Sequence, residues 1–237
     1  MYKSESVELK DLAEIISRNT YKVLKINHIF NIEKIRKTVF DALIKFPPKK
    51  KDGCEKYWAV GLQFGDENNP YYDTVARVSS FENGTRKTFQ DIKTPAYKKN
   101  LIGQELNQIF DFFMSEIILT RGRVLIADPG FVMNEHIDGF FCATLHLALQ
   151  SDSASIINVD GEDFHIPVDG HFYIMNASLK HKVVCRSAQR RIHIAFPLQP
   201  INFRKLTRSQ FTRTQPFFEQ YKIEIQKHSH IEIIDDE

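Results

Sequence analysis

Apolar positions divide this chain into two regimes. Over the first half they recur at helical spacing. Leu9, Leu12, Ala13 and Ile16 stand at i, i+3, i+4 and i+7, which predicts a helix over 6–18 with Ser6 as its N-cap. Asn31 precedes the stripe Ile32, Ile35, Val39, Leu43 and Phe46, and Pro47-Pro48 ends it. A third helix is expected over about 101–116, with Ile102, Leu106, Ile109, Phe110 and Phe113 on one side. Between them, 21–26 and 56–64 read as strands, 66–70 as a loop, and 80–97 as a polar stretch with the character of a lid.

From Ile117 the period shortens. Short apolar or alternating runs are separated by Asp128-Pro-Gly, Asp138-Gly, Asp160-Gly and Asp169-Gly. Asp-Gly between apolar runs predicts hairpins, because type I′ turns need positive φ. The runs 143–149, 156–159, 164–166, 171–175, 182–185 and 191–196 are the expected strands. Helices first and antiparallel strands afterwards predict a mainly β fold, a jelly roll with an N-terminal helical buttress. The expected organisation is one domain over 1–237: helix-rich support over 1–116, jelly-roll core over 117–200, and an extension over 201–237. Within the extension, 205–227 is expected to be helical and 231–237 a tail.

Composition narrows the function classes. Hydrophobic residues make up 42% and charged residues 26%, ordinary values for a globular protein with a sizeable core. A net charge of +2 argues against nucleic-acid binding built on bulk positive charge, and Lys49-Lys50-Lys51 reads as a solvated loop. Three unevenly spaced cysteines favour free thiols in a reducing compartment. No apolar run approaches the roughly 20 residues of a membrane span, and the N-terminus lacks a signal-peptide core. The expected location is the cytoplasm, with a small-molecule substrate and neither nucleic acid nor membrane as partner. The sequons at Asn83 and Asn176 are then chance matches.

The candidate chemistry lies in MNEHIDG. On a strand, residues i and i+2 share a face, so His136 and Asp138 point into one space. Two imidazoles and a carboxylate form the facial triad of non-haem Fe(II) oxygenases, with open positions opposite. The third ligand is expected from far along the chain, and His181 is the candidate; the alternative is a surface His-Asp pair beside an unrelated core histidine. In RRIHIAF, Arg191, His193 and Ala195 share one face and Ile192, Ile194 and Phe196 the other. An arginine inside a barrel calls for an anion, and a dicarboxylate co-substrate meets that need. A protein carboxylate, or a register that turns Arg190 inward instead, is the alternative. In CATLHLALQ, Thr144, His146 and Ala148 share the polar face. His146 either bonds a bound carboxylate or is a satisfied core histidine. Asn176, Gln150 and Arg123 are weaker cavity candidates.

The order RGRVLIADPGFVMNEHIDG, LHLALQSDS, FHIPVDGHFYIMNASLKHKVV and RRIHIAF resembles the aspartyl/asparaginyl β-hydroxylase-like group of 2-oxoglutarate-dependent Fe(II) oxygenases. That group includes bacterial free-amino-acid hydroxylases such as the cis-proline hydroxylases. The resemblance covers about 121–198. It implies a double-stranded β-helix of the cupin-like kind, with Fe(II), 2-oxoglutarate and O2 as cofactor and co-substrates. It implies His136, Asp138 and His181 as iron ligands and Arg191 as the holder of the distal carboxylate of 2-oxoglutarate. His146 matches the histidine of the family's R-x-H-x-P-L segment, near cofactor and substrate. The chain departs from the family at Thr144, where that segment has arginine, at Ala148, where it has proline, and at Leu125, where a serine assists the distal carboxylate. The implied reaction is hydroxylation of an unactivated C–H bond, of a free amino acid or an amino-acid side chain. A cupin-like module that binds a metal or small acid without turnover is the alternative, and a zinc hydrolase a third.

Overall fold

The computed structural model describes residues 5–50, 54–62, 79–82, 85–88, 104–119, 122–138, 143–199, 202–220 and 231–236. In chain order the elements are β1 (Ser6–Val7), a 3-10 turn (Leu9–Asp11), α1 (Leu12–Arg18), β2 (Val23–Ile26), α2 (Ile32–Lys45), β3 (Lys49–Lys50) and β4 (Tyr57–Gly61). Then come β5 (Ser79–Glu82), β6 (Thr85–Thr88), α3 (Gln104–Phe113), β7 (Arg123–Ala127), β8 (Val132–His136), β9 (Ala143–Gln150) and β10 (Ser155–Val159). β11 (Glu162–Phe164), β12 (Tyr173–Met175), β13 (His181–Cys185), β14 (Arg191–Leu198), β15 (Lys205–Thr207), α4 (Arg208–Gln220) and β16 (Glu232–Ile234) complete it.

Two sheets face each other. The larger has eight strands in the order β1-β2-β12-β9-β14-β7-β4-β3, and the smaller has four, β11-β10-β13-β8. This is the jelly roll expected, mainly β with a few helices. The strands of the first half, β2 and β4, extend the large sheet on its two flanks, so the support is partly sheet. On its outer face Leu145, Leu147, Leu149, Ile192, Ile194 and Phe196 pack with Leu12, Ile16, Ile35, Val39 and Phe113 of the helices. Each such fully buried side chain contributes about 1.5–3 kcal/mol of transfer free energy. On the inner face Ala127, Ala148 and Met175 meet Ile157, Val159 and Val183 of the small sheet.

Local chemistry explains the joints. Asn31 caps α2, its side chain accepting from the Lys34 amide at 3.1 Å. Asp160 and Gly161 both have positive φ (47° and 81°), the I′ turn expected between β10 and β11. Asp128-Pro129-Gly130 is a tight turn: the Phe131 amide bonds the Asp128 carbonyl at 3.0 Å and Gly130 has φ 75°. That turn hands the chain from β7 in the large sheet to β8 in the small one.

Four expectations are corrected. The first helix begins at Leu12, after a 3-10 turn, and Ser6 lies in β1, paired parallel to β2, instead of capping a helix. Lys49 and Lys50 form an edge strand paired with β4, exposed as a solvated loop would be. Residues 205–207 are a strand rather than helix, with α4 starting at Arg208. Residues 232–234, read as tail, pair parallel to them. In each case backbone partners elsewhere decide the state, which local periodicity does not carry. Of the stretch 80–97, β5 and β6 form a hairpin, and 89–97 lies outside the described residues, as do 66–70, Ile102, Gly139 and Cys142. No helix among the described residues is long and apolar enough to cross a membrane.

Candidate functional site

A cleft of about 120 Å³ opens between the two sheets where β8 ends. β8 and β13 pair antiparallel, with His136 opposite His181 and Met133 opposite Val183. Two residues of β8, Asn134 and Glu135, therefore stand opposite the single Lys182 of β13, a bulge. Plain alternation would send residues three apart to opposite faces. The extra residue restores Met133 and His136 to the same side, and both line the cleft.

The strand stops at His136. Asp138 follows two residues later on a loop whose amide bonds the Ala177 carbonyl at 3.0 Å. The side chains of His136 and Asp138 are about one-third exposed, at 35% and 36%, whereas His181 is buried at 3%, so the site is reached from one side. His136 Nδ1 lies 2.8 Å from the Asn134 carbonyl and His181 Nδ1 2.9 Å from the Leu179 carbonyl. A carbonyl only accepts, so both Nδ1 atoms carry the proton and both Nε2 atoms are bare. Those Nε2 atoms stand 3.6 and 3.7 Å from the two Asp138 oxygens, and the donor atoms of the three residues lie within 4.8 Å of one another. Burial works to lower the His181 pKa, but the Asp138 carboxylate and the Leu179 carbonyl outweigh it, and the imidazole is held above its usual value. A cation at the three donors takes the place of that proton. Two tautomer-locked imidazoles and one carboxylate on one side suit Fe(II) and leave the opposite positions open.

The large sheet supplies the facing wall in rows set by register. One row runs Tyr57–Ala127–Arg191, from β4 across β7 to β14. The next runs Ala59–Leu125–His193–Ala148, and the third Gly61–Arg123–Ala195–His146–Tyr173. Arg191 is 2% exposed and lines the cleft. Its neighbour Arg190 points outward and donates to Asp128 Oδ1 at 2.7 Å, while Trp58 donates to the other oxygen at 2.7 Å. Asp128 thereby pins the register that turns Arg191 inward. Burial lowers the Arg191 pKa to about 10, and the guanidinium stays cationic at neutral pH.

His146 is 6% exposed and lines the cleft with Thr144. Both of its ring nitrogens are buried without a hydrogen-bond partner, so it is not a satisfied core histidine. Burial first, then the fields of Arg191 and His181, push its pKa down to about 3, leaving a neutral ring beside the candidate ligands. Of the weaker candidates Arg123 lines the cleft. Asn176 instead ties β12 to the α1–β2 connection, donating to Asn19 Oδ1 at 2.7 Å and the Tyr21 carbonyl at 2.9 Å. Gln150, at the end of β9, is half-buried outside the cleft. Sequence reasoning missed Tyr57, which is buried in the row of Arg191 with the small Ala127 between them. Burial raises its pKa and the nearby Arg191 lowers it. The alternation of Tyr57, Ala59 and Gly61 marked its face, but only strand order shows what it faces.

Residues 103–199 match the family model described as Aspartyl/Asparaginyl beta-hydroxylase. No curated protein matches this chain. Among solved structures, the non-heme alpha ketoglutarate dependent carbocyclase SnoK from nogalamycin biosynthesis superposes with a TM-score of 0.51 at 9% identity, covering 81% of this chain and 86% of that one. A 2OG-Fe(II) oxygenase family oxidoreductase from Burkholderia pseudomallei gives 0.47 at 11% identity, over 85% and 97%. A Pseudomonas putida prolyl-4-hydroxylase gives 0.46 at 11%, over 79% and 99%. Over residues 103–199 the chain is thus similar to the aspartyl/asparaginyl β-hydroxylase family, and its fold is shared with the SnoK carbocyclase.

Proposed function

We propose that this chain hydroxylates an unactivated C–H bond of a free amino acid or of an amino-acid side chain, using Fe(II), 2-oxoglutarate and O2. The observation that carries this reading is the convergence of His136, Asp138 and His181 opposite a buried Arg191 across one cleft. In it, the three residues hold the iron and Arg191 takes the distal carboxylate of 2-oxoglutarate. His146 and Thr144 stand beside the co-substrate. When bound, the iron and 2-oxoglutarate supply the oxidising chemistry, releasing succinate and carbon dioxide.

The chain's own residues do the rest. The Asn134 and Leu179 carbonyls fix the ligand tautomers, so each ring, once neutral, presents Nε2 to the iron. Neutral His146 offers a donor without adding charge next to the metal. Leu125, Met133, Met175 and Val183 give the cleft an apolar lining that excludes water from the reacting carbon. A single domain over 1–237 carries the activity.

Purified protein incubated anaerobically with Fe(II) and 2-oxoglutarate should develop a weak visible charge-transfer band. Oxygen should then yield succinate, and a screen of free amino acids should find one that stimulates its release. A binding module shows the band at most and no succinate with any candidate; that outcome overturns the reading.

A further inference from the structure

The inner end of the cleft holds a guanidinium whose buried polar partner is an imidazole. Arg191 Nη2 stands 3.0 Å from His193 Nδ1, and both side chains are all but fully buried. A guanidinium has donors and no acceptor, so the direction of this hydrogen bond is settled: Arg191 donates and His193 accepts. His193 is therefore neutral, with its proton on Nε2, an atom that is buried and has no partner. Buried arginines usually draw a carboxylate, which satisfies the fork and cancels its charge at once. Here the groups whose fields favour the charged form of Arg191 are the Tyr57 phenol and the Cys185 thiol.

We infer that His193 is a positioning residue: by accepting from one arm of the Arg191 fork it aims the other donors into the cleft, and because it is neutral it leaves the positive charge for the distal carboxylate of 2-oxoglutarate. This rests on the reading of Arg191 given above. The two residues are i and i+2 on β14, which puts them on one face. His193 lies between Leu125 and Ala148 in its row, and its ring meets that of His146 edge-on, with centroids 5.8 Å apart. An aspartate at 193 would satisfy the same N–H but would also capture the charge, and the carboxylate of an incoming acid would then face a neutral pair.

Three substitutions separate these effects. His193→Asn keeps an acceptor where Nδ1 stood, His193→Leu removes it, and His193→Asp replaces it with an anion. Glutarate is titrated calorimetrically into the full-length chain, thermal midpoints report folding, and kcat and KM for 2-oxoglutarate are measured in parallel. The asparagine variant should bind glutarate within about threefold of the parent, the leucine variant about tenfold more weakly, and the aspartate variant at least about 100-fold more weakly. KM should follow these shifts with kcat changing far less. A folded aspartate variant that binds glutarate like the parent, or asparagine and leucine variants that behave alike, overturns the role of His193 alone. A parent chain that binds no glutarate and does not use 2-oxoglutarate overturns the reading of Arg191, and this inference with it.

Discussion

His136 and His181 are register partners across β8 and β13, with ring centroids 4.3 Å apart. Each is tautomer-locked by the carbonyl two residues before it, and Asp138 stands between their bare nitrogens. Removing the carboxylate leaves two neutral donors and no compensating charge for a divalent ion. Asp138→Ala should therefore lose metal binding by at least about 100-fold and lose turnover. Calorimetric titration with Fe(II) under anaerobic conditions checks the first and succinate release the second. Parent-like turnover in this variant would sink the assignment of the three ligands.

Arg191 carries the second expectation. Truncating one partner of a buried, charge-assisted contact costs about 2–5 kcal/mol. Arg191→Ala should raise KM for 2-oxoglutarate by roughly 100-fold, while Fe(II) binding stays near the parent value because no ligand is touched. Lysine should restore part of the affinity, as a point charge cannot form the two parallel bonds of the fork. Equal losses of metal and co-substrate binding would point to collapse of the site instead.

His146 gives a pH dependence of stability. Its pKa in the fold is about 3, below the ordinary histidine value of 6.5, so the unfolded chain binds the proton that the folded chain refuses. Stability then rises with pH between these limits and is lost on acidification from about 6.5 downward, by up to about 1.4 kcal/mol per pH unit for one such group. His146→Gln should flatten the curve of unfolding free energy against pH over about 6 to 4. Urea unfolding at several pH values measures it, and parallel curves for parent and variant would show that His146 takes no part.

Two glycines separate strain from collision. Gly161 and Gly170 share φ 81°, but a Cβ on Gly161 meets nothing within 4 Å, while one on Gly170 comes 2.5 Å from the Phe30 carbonyl oxygen. That strand-end backbone is fixed, because the Phe30 amide bonds the Gly170 carbonyl at 2.9 Å. Gly161→Ala should cost about 1–2 kcal/mol, the left-handed penalty alone. Gly170→Ala should cost clearly more and lower the thermal midpoint further. Equal costs would mean that the 28–30 segment yields easily.

Much of the site could be read before any fold was known, and the reason is periodicity. The alternation that puts Arg191, His193 and Ala195 on one face depends only on strand geometry and is kept, whereas Asp138 joins His136 at the cleft from a loop beyond the end of the strand. The parity between Met133 and His136 could not be read, because a bulge changed it. Tyr57 escaped for a related reason: its partner in the row lies two strands away in a sheet whose order the sequence does not spell out. The short strands β1 and β3 exist because longer neighbours offer free edges, and β16 because the equally short β15 pairs with it, so their own residues hold little sign of them. Ser6 as a helix cap and 231–237 as a tail were expected on local grounds, and distant backbone overruled both.

The wall bearing Arg191 and the wall bearing the three metal-ligand candidates are separate leaves, kept apart by Ala127 and Ala148 on one side and Ile157 and Val159 on the other. The gap between guanidinium and triad is thus a matter of hydrocarbon bulk, set by neighbours that are themselves neither ligand nor anion anchor. Trading a methyl group among those four positions would lengthen or shorten the acid that fits, with every charged group left as it is.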